Sequence, residues 1–490
     1  MERDPLLGKR KSGGSSRSGS GLLHYSNPPS SDENTEYSVY SYHGDNYVVP
    51  PDRRTSLSYT IDTQNSNEEF QPRRFHRPLF ISTVTLVHCG LLIYICISGG
   101  IEPISFKPKI EGKKIHKFGF IASGNNGSKF KHQEEISRYS GVNAFIGPNA
   151  SILVQAGAKF VPCMKKLNDI KNRTMAIEKR EADYSCCSFN KECAMMSKKS
   201  CPGKIIGSTN CNSSDDNCAN GITLRPCCVG LHVQCYILSK QYCLFVGGHW
   251  HDDKLLCHDV NCLNDICGMS GGLDKDGGDQ WYRLVTAIFL HLGIIHLITN
   301  LLFQIPVGIL IEREIGTVRT FLIYMISGIG GNLICGLFNP LSPQVGASGA
   351  LFGLVALLII KLLQLRHDVR RPCMEALIFL GVALISFAIG TLPYIGNFVH
   401  IGGFLFGSLA SLALLPRTNS RFTNLGLKSC QKVVFMSLLI IALVCAFVAF
   451  FVVKKSEFCS WCKYIDCIPY VKNFCPSMDS DGYSDSGDVK

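Results

Sequence analysis

The sequence has no compact basic domain in which lysine and arginine alternate with aromatic residues, although its 490 residues carry a formal net charge of +11. Such a domain is typical of proteins that bind nucleic acid, so its lack argues against a nucleic-acid partner. We attribute the excess positive charge to residues that flank membrane spans, because lysine and arginine border the apolar runs described below.

Cys459-x-x-Cys462 has no second cysteine pair or histidine partner at zinc-finger spacing, and we predict neither a metal nor a cofactor. Cysteine itself is abundant. Of 24 residues, fourteen lie between Cys163 and Cys267, and four follow the last apolar run. Dense cysteine in polar segments is typical of disulfides in an oxidising compartment. An even count of fourteen is consistent with seven bridges of open connectivity, and zinc stays an alternative for the Cys459 pair.

Residues 1–78 lack a long apolar run and are predicted to be a disordered cytoplasmic region. Glu2-Arg3-Asp4-Pro5-Leu6-Leu7 fits the acidic dileucine pattern E-x-x-x-L-L, which sorting adaptors recognise. Arg53-Arg54-Thr55-Ser56 fits a basophilic kinase site, where a phosphate would attract a phosphoserine-binding protein. An unmodified polar tail is the alternative for both segments.

Seven later segments are apolar over roughly the 20 residues that a membrane-spanning helix needs. They predict an all-α polytopic membrane protein that lies in a lipid bilayer. The first segment is too far from the N-terminus for a cleaved signal peptide and is interpreted as a signal anchor. The seven segments are 79–98, 293–311, 320–338, 347–365, 376–392, 398–415 and 433–453.

Three patterns agree on a cytoplasmic N-terminus and a lumenal C-terminus. Basic residues cluster before the first span and after the second, fourth and sixth, although Lys454 and Lys455 count against this orientation. Four N-x-S/T sequons all fall between the first two spans: Asn126, Asn149, Asn172 and Asn212. Eighteen of the 24 cysteines lie in the two regions that this topology places outside the cytosol.

The resulting plan has five parts: a cytoplasmic region at 1–78, a first helix at 79–98, a cysteine-rich glycosylated domain at 99–280, a membrane core with a seventh helix at 281–453, and a lumenal tail at 454–490. The cysteine-rich domain shows no catalytic pattern and is interpreted as a binding or gating module. Its His249-Trp250-His251 is interpreted as surface histidines, with a metal site as the alternative. The plan places the protein in the secretory pathway, in the endoplasmic reticulum, Golgi, plasma membrane or endosome.

Strongly polar residues inside spans are costly and usually functional. His296 and Asn300 in His291-x4-His296-x3-Asn300 share one face of the second span. Ser348 stands among small residues in Gly346-Ala347-Ser348-Gly349 where the fourth span begins. His400 begins His400-x-x-Gly403-x-x-x-Gly407 in the sixth span, and the glycine pair predicts close approach of another helix. Each motif alone is also compatible with packing, but all three are predicted at one depth of the bilayer.

Together these motifs resemble the signature of the rhomboid family of intramembrane serine proteases. The resemblance implies a six-helix core plus one further helix. It also implies that Ser348 is the nucleophile, that His400 is its base, and that His296, Asn300 and the Ser348 amide form the oxyanion hole. Glu312 to Gly316 resembles the family's E-x-x-x-G helix end, and Tyr282-Arg283 after Trp281 resembles its aromatic-Arg pair. Gly346, Gly349, Gly403, Gly407, Glu312 and Arg283 are therefore expected to be structural motif residues. Val399 and Phe352 depart slightly from the family pattern.

The domain at 99–280 is similar to the cysteine-rich loop of the inactive rhomboids, or iRhoms. The similarity rests on four segments: Gly157-Ala158-Lys159-Phe160 through Cys163, Cys186-Cys187, Arg225-Pro226-Cys227-Cys228, and Tyr242 to Cys267. Members of that subgroup typically have proline before the serine position and often lack the serine, whereas this chain has Ala347 and Ser348.

The two resemblances imply two functions. The first is a serine endopeptidase that cleaves transmembrane segments of single-span membrane proteins near their lumenal side. The alternative is a non-catalytic protein that binds single-span clients and controls their trafficking or degradation.

Overall fold

The computed structural model describes residues 76–102, 104, 145–189, 192–201, 203–207, 211, 224–231, 234–269, 277–364, 372–392, 395–415, 429–454, 459 and 461–470, with the backbone of four further strands. The chain divides into two compact units, Met1–Asp62 and Thr63–Lys490. In the first unit, β1 (Ser38–Tyr42) and β2 (Asp45–Val49) form an antiparallel hairpin within the region predicted to be disordered. The predicted sorting signal and kinase site lie outside the described residues.

The second unit begins with helix α1 (Leu79–Gly99) and continues into the inserted domain, residues 99–280. Strands β3 (Ile110–Phe118) and β4 (His132–Tyr139) form an antiparallel hairpin. Helices α2 (Ala150–Gln155) and α3 (Asn168–Glu181) lead to the antiparallel sheet β6-β5-β7, made of Glu192–Ser197, Tyr184–Phe189 and Lys204–Gly207.

A second antiparallel sheet, β10-β8-β9, completes the inserted domain. Its strands are β8 (Leu224–Val229), β9 (Gln234–Ser239) and β10 (His249–Trp250), accompanied by α4 (Lys240–Phe245) and α5 (Cys262–Cys267). The sheets are small, and their buried clusters consist largely of cysteine. Cross-links therefore stabilise a domain whose apolar core is limited.

The described bridges confirm a disulfide-rich insertion. Each disulfide contributes about 2–4 kcal/mol by restricting the unfolded chain. Cys193 is disulfide-bonded as well. Within the insertion, the six bridges that join described residues are Cys163–Cys267, Cys186–Cys211, Cys187–Cys201, Cys227–Cys243, Cys228–Cys262 and Cys235–Cys257.

The membrane core begins with the short helix α6 (Arg283–Phe289). The next apolar helix consists of α7 (Ile294–Phe303), a π-helical turn (Gln304–Gly308) and α8 (Ile309–Ile315). The π turn contains Pro306, which lacks the amide hydrogen that regular helical bonding requires. The remaining apolar helices are α9 (Thr317–Phe338), α10 (Ser348–Gln364), α11 (Pro372–Ile389), α12 (Asn397–Leu414) and α13 (Ser429–Val452).

Each of the seven predicted segments coincides with an apolar helix. Five are long and apolar enough to cross a membrane: α1, α7–α8, α9, α12 and α13. Helices α10 and α11 are apolar but shorter. The chain is therefore a multi-pass membrane protein, and seven spans remain a prediction.

Small residues bring α9, α10 and α12 into backbone contact. A Cβ on Gly403 would meet the carbonyl of Gly349, and one on Gly407 would meet Cα of Gly353. This is the close approach that the G-x-x-x-G spacing predicts. The start of α10 and the start of α12 are therefore held side by side.

The tail contains α14 (Lys463–Asp466) and the disulfide Cys459–Cys462, so this pair is a bridge rather than a set of zinc ligands. The free cysteines among the described residues are Cys89, Cys96, Cys335, Cys373 and Cys445. All five belong to apolar helices, whereas every described bridge belongs to the inserted domain or the tail. This division is expected when membrane helices are shielded from the oxidising compartment.

Candidate functional site

Ser348 is the first residue of α10. The preceding Gly346 has φ +130°, a value that side chains disfavour, and its amide donates to the Ala287 carbonyl over 3.0 Å. The Ala347 carbonyl accepts from the Leu351 amide over 3.0 Å, so the helical bonding begins there. The Ser348 amide consequently has no acceptor within the helix and is available to a developing negative charge.

His296 and Asn300 lie against Gly346. A Cβ on that glycine would be 2.7 Å from Cε1 of His296 and 3.8 Å from Nδ2 of Asn300. Both side chains are buried on α7, one turn apart. Nδ1 of His296 and Nδ2 of Asn300 have no hydrogen-bond partner in the part of the chain that the structure describes. Since buried polar atoms are normally paired, the unpaired Nδ2 of Asn300 near the start of α10 is suited to binding an oxygen of a ligand. The His296 nitrogen that faces Gly346 is Nε2, which would be 3.1 Å from the added Cβ.

His400 lies in the first turn of α12 and is 2% exposed. Its ring stacks on Phe352, with centroids 4.4 Å apart and an interplanar angle of 11°. Phe387 contacts the imidazole edge-on at 6.0 Å. Phe352 follows Ser348 by one turn of α10, so the stack places His400 beside the helix that bears the serine. Among the described residues, Nδ1 of His400 has no hydrogen-bond partner, and packing orients the ring.

A known domain family matches the part of the chain that contains the helices of this site. The model of the rhomboid domain matches residues 278–417, which include α7, α10 and α12. The chain belongs to the rhomboid family. Inactive rhomboid protein 1 of Rattus norvegicus is 31% identical over 465 residues, which are 83% of this chain and 53% of the relative.

Two human relatives match the chain with similar identity and coverage. Inactive rhomboid protein 1 of Homo sapiens is 30% identical over 464 residues, covering 83% of this chain and 53% of the relative. Inactive rhomboid protein 2 of Homo sapiens is 27% identical over 489 residues, covering 87% and 55%. The chain spans about half the length of the curated relatives it matches. These matches extend well beyond the rhomboid domain and support an iRhom-like character.

Glu312 and Arg283 join the rhomboid domain to α1 and to the inserted domain, respectively. The Glu312 carboxylate accepts from the Phe80 and Ile81 amides, both over 2.8 Å, and so caps the N-terminus of α1. The guanidinium of Arg283 donates to carbonyls of the inserted domain. Gly316 ends α8 at φ +89°, where glycine is favoured.

A polar line that the sequence prediction missed leads from the site into the rhomboid core. The His291 ring lies 5.4 Å from His296 and 4.8 Å from His88 on α1. Near His88, Gln304 donates to Thr85 over 2.9 Å and accepts from the Tyr324 hydroxyl over 3.0 Å. The rule that flagged His296 also applies to His88, a histidine within an apolar run.

Two of the four predicted glycosylation residues lie in described segments of the inserted domain. Asn172 is exposed on α3. Asn149 caps α2 by accepting from the Ser151 amide over 3.0 Å, and its Nδ2 donates to Glu102 over 2.9 Å. Asn126 and Asn212 lie outside the described residues.

The histidine pair of the inserted domain faces Asp265. His251 lies 2.8 Å and His249 3.7 Å from its carboxylate. The nearby Cys228 sulfur is bridged to Cys262, so it is not a thiolate ligand. The geometry fits partnered surface histidines.

Proposed function

We propose that the protein is a rhomboid intramembrane serine protease that cleaves transmembrane segments of single-span membrane proteins. The main support is the convergence of Ser348, His400, the His296 ring and the unpaired Nδ2 of Asn300 near the start of α10. Packing alone does not explain why Asn300 Nδ2 is buried at this place without a partner among the described residues.

In the proposed reaction His400 takes the proton from the Ser348 hydroxyl as the oxygen attacks the substrate carbonyl. The Ser348 amide, Asn300 and His296 donate to the oxyanion, and preorganised donors of this kind typically contribute about 2.7–4 kcal/mol each. His400 returns its proton to the leaving amine, and an acyl-enzyme forms. Water then releases the second product. Stacking on Phe352 replaces the orienting carboxylate of a triad.

The names of the relatives favour a second function. The chain matches proteins called inactive rhomboid over 83% of its length, which includes much more than the rhomboid domain. In this case the chain binds single-span clients through its core and inserted domain and controls their trafficking or degradation. This second function predicts that Ser348 is dispensable.

We also propose a membrane topology, which both functions require. The N-terminus is cytoplasmic, where sorting adaptors and phosphoserine-binding proteins have access to it. The inserted domain and the tail are lumenal in the secretory pathway, and Asn126, Asn149, Asn172 and Asn212 carry glycans. Endoglycosidase treatment should lower the apparent mass, and an unshifted band from a glycosylating host argues against this topology.

The deciding experiment compares wild type with Ser348→Ala in liposomes that contain a single-span substrate. Wild type should release two fragments and react with a fluorophosphonate probe, whereas Ser348→Ala should do neither. Ser408→Ala is the matched control, because the Ser408 hydroxyl donates to the Phe404 carbonyl of its own helix over 2.8 Å. Equal client capture by wild type and Ser348→Ala, without fragments or labelling, supports the second function instead.

A further inference from the structure

The tail docks on the ends of three membrane helices near the candidate site. Cys462 packs with Cys335 of α9 and with Phe398 and Val399 of α12. Beyond α11, the Thr391 carbonyl accepts from the Ile468 amide over 3.3 Å. The tail therefore joins the ends of α9, α11 and α12.

Asp466 forms the central contact of this docked tail and is 2% exposed. One carboxylate oxygen accepts from the Phe398 amide over 2.9 Å, and the other accepts from Nδ2 of Asn339 over 2.8 Å. Phe398 is the second residue of α12, so its amide has no acceptor within the helix. A carboxylate at this position also interacts favourably with the positive end of the helix dipole.

The contact lies within the same helical turn as His400. Phe398 precedes His400 by two residues, and its ring stacks on Phe338 of α9 at 4.7 Å with an angle of 8°. Asp466 thus fixes the first turn of α12, which precedes the glycine contact of this helix with α10. Because Nδ1 of His400 has no partner among the described residues, the position of the imidazole depends on this turn and on the Phe352 stack.

The inserted domain supports the same contact with a buried cation. Lys159 is 0% exposed, and its ammonium donates to the Asn339 carbonyl over 2.9 Å. It also lies 3.4 Å from the Cys335 sulfur, which is 3.9 Å from the Asp466 carboxylate. Burial raises the pKa of Asp466, while bonds from Phe398 and Asn339 and the charge of Lys159 oppose that rise. The carboxylate thus has hydrogen-bond donors and a nearby positive charge to offset its burial.

We propose that Asp466 is a positioning residue for His400, which holds the first turn of α12 so that the imidazole meets Ser348. This inference rests on the proposed protease function. It assigns the described part of the tail to the active-site architecture, where it acts through α12.

The test measures kcat and KM of Asp466→Ala, Asp466→Asn and Asp466→Glu on the single-span substrate in liposomes. Asp466→Ala should lower kcat by about tenfold or more with little change in KM, because misplacement of a catalytic group by about 1 Å can cost 100-fold. Asp466→Asn retains an acceptor for the Phe398 amide and should recover part of kcat. The rate of fluorophosphonate labelling should fall in parallel, and hydrogen exchange should become faster at residues 398–400.

Asp253→Asn is the matched control, because Asp253 is 66% exposed and pairs only with Lys254 at 3.3 Å. It should leave kcat and exchange unchanged. An Asp466→Ala enzyme with kcat within twofold of wild type overturns the inference, as does a change confined to KM. If Asp466→Ala does not fold, Asp466→Asn decides instead: a lower kcat with unchanged KM supports the inference, and a kcat equal to that of wild type overturns it. Wild type that neither cleaves nor labels overturns the protease function itself, a failure recognised before any variant is compared.

Discussion

Replacement of Arg283 by methionine tests how strongly the inserted domain is anchored to the membrane core. Arg283 begins α6 and is fully buried. Its guanidinium donates to Oε1 of Gln280 over 2.7 Å and to the carbonyls of Val154 and Ala158 over 2.6 and 2.9 Å, and it also donates to the Cys267 carbonyl. All four acceptors are neutral, and three belong to backbone of the inserted domain.

The expected loss of unfolding free energy follows from the buried carbonyls that lose the Arg283 guanidinium as a donor. Methionine fills similar space but leaves the Ala158 and Cys267 carbonyls without their donor, and each costs about 1–3 kcal/mol. The Val154 carbonyl still accepts from the Gly157 amide over 3.1 Å. The simple sum is about 2–6 kcal/mol. Removing the guanidinium also removes its own desolvation cost, which is evident because burial lowers the pKa of Arg283 to about 10. We therefore expect a loss near the lower end, about 2–4 kcal/mol.

The free energy of unfolding is measured by titration of SDS into mixed micelles, with disulfides intact. Arg283→Lys keeps the charge but replaces the planar fork by a compact ammonium, so it should lose an intermediate amount. Arg313→Ala, at an exposed position of α8, should change stability by less than about 0.5 kcal/mol. A loss below about 1 kcal/mol for Arg283→Met refutes the anchoring argument.

Three further predictions concern packing, the imidazole stack and pH. Gly403→Val should abolish cleavage and lower the melting temperature in detergent, because its side chain would meet the Gly349 carbonyl, whereas Gly381→Ala, in open space, should be neutral. Phe352→Leu should lower kcat about three- to tenfold by removing a stack of about 0.5–1.5 kcal/mol, and Phe352→Tyr should retain it; equal kcat values for both contradict this role. Burial, with a smaller effect of Lys159, lowers the pKa of Lys165 to about 8, below the unfolded value of about 10.4. The unfolded state therefore binds more protons between these values, and unfolding free energy should rise from about pH 8 to pH 10 in wild type relative to Lys165→Met.

The membrane helices were predictable because their signals are local. A run of apolar residues fixes the helix within the run itself, and the Gly403–Gly407 spacing fixes which face is small. The predicted ends agree closely; for example, the segment predicted at 398–415 is α12 (Asn397–Leu414). The clustering of Ser348, His296 and Asn300 followed from shared depth, which topology supplies before any contact is known.

Tertiary partners were not predictable in the same way. Cys163 pairs with Cys267 across 104 residues, and nothing near either cysteine specifies that choice. Asp466 reaches Phe398 from 68 residues away, in a tail whose only evident pattern was its cysteines. The Asp466 carboxylate is important because it accepts from the buried Phe398 amide. This pairing can be recognised only in a structure that contains both α12 and the tail.

The contact between Lys165 and the end of α13 also sets an order of events during synthesis. The Lys165 ammonium donates to the carbonyls of Phe450 and Val453, which follow it by 285 and 288 residues. At about 5–20 residues per second, a ribosome needs roughly 15–60 s to make that stretch. During this interval the inserted domain has time to close its bridges, but its docking surface for α13 stays incomplete. A chain truncated before residue 450 would therefore have its disulfides formed but would lack the helix end on which Lys165 docks. Lys165 would then be exposed, and the folding machinery would retain the chain.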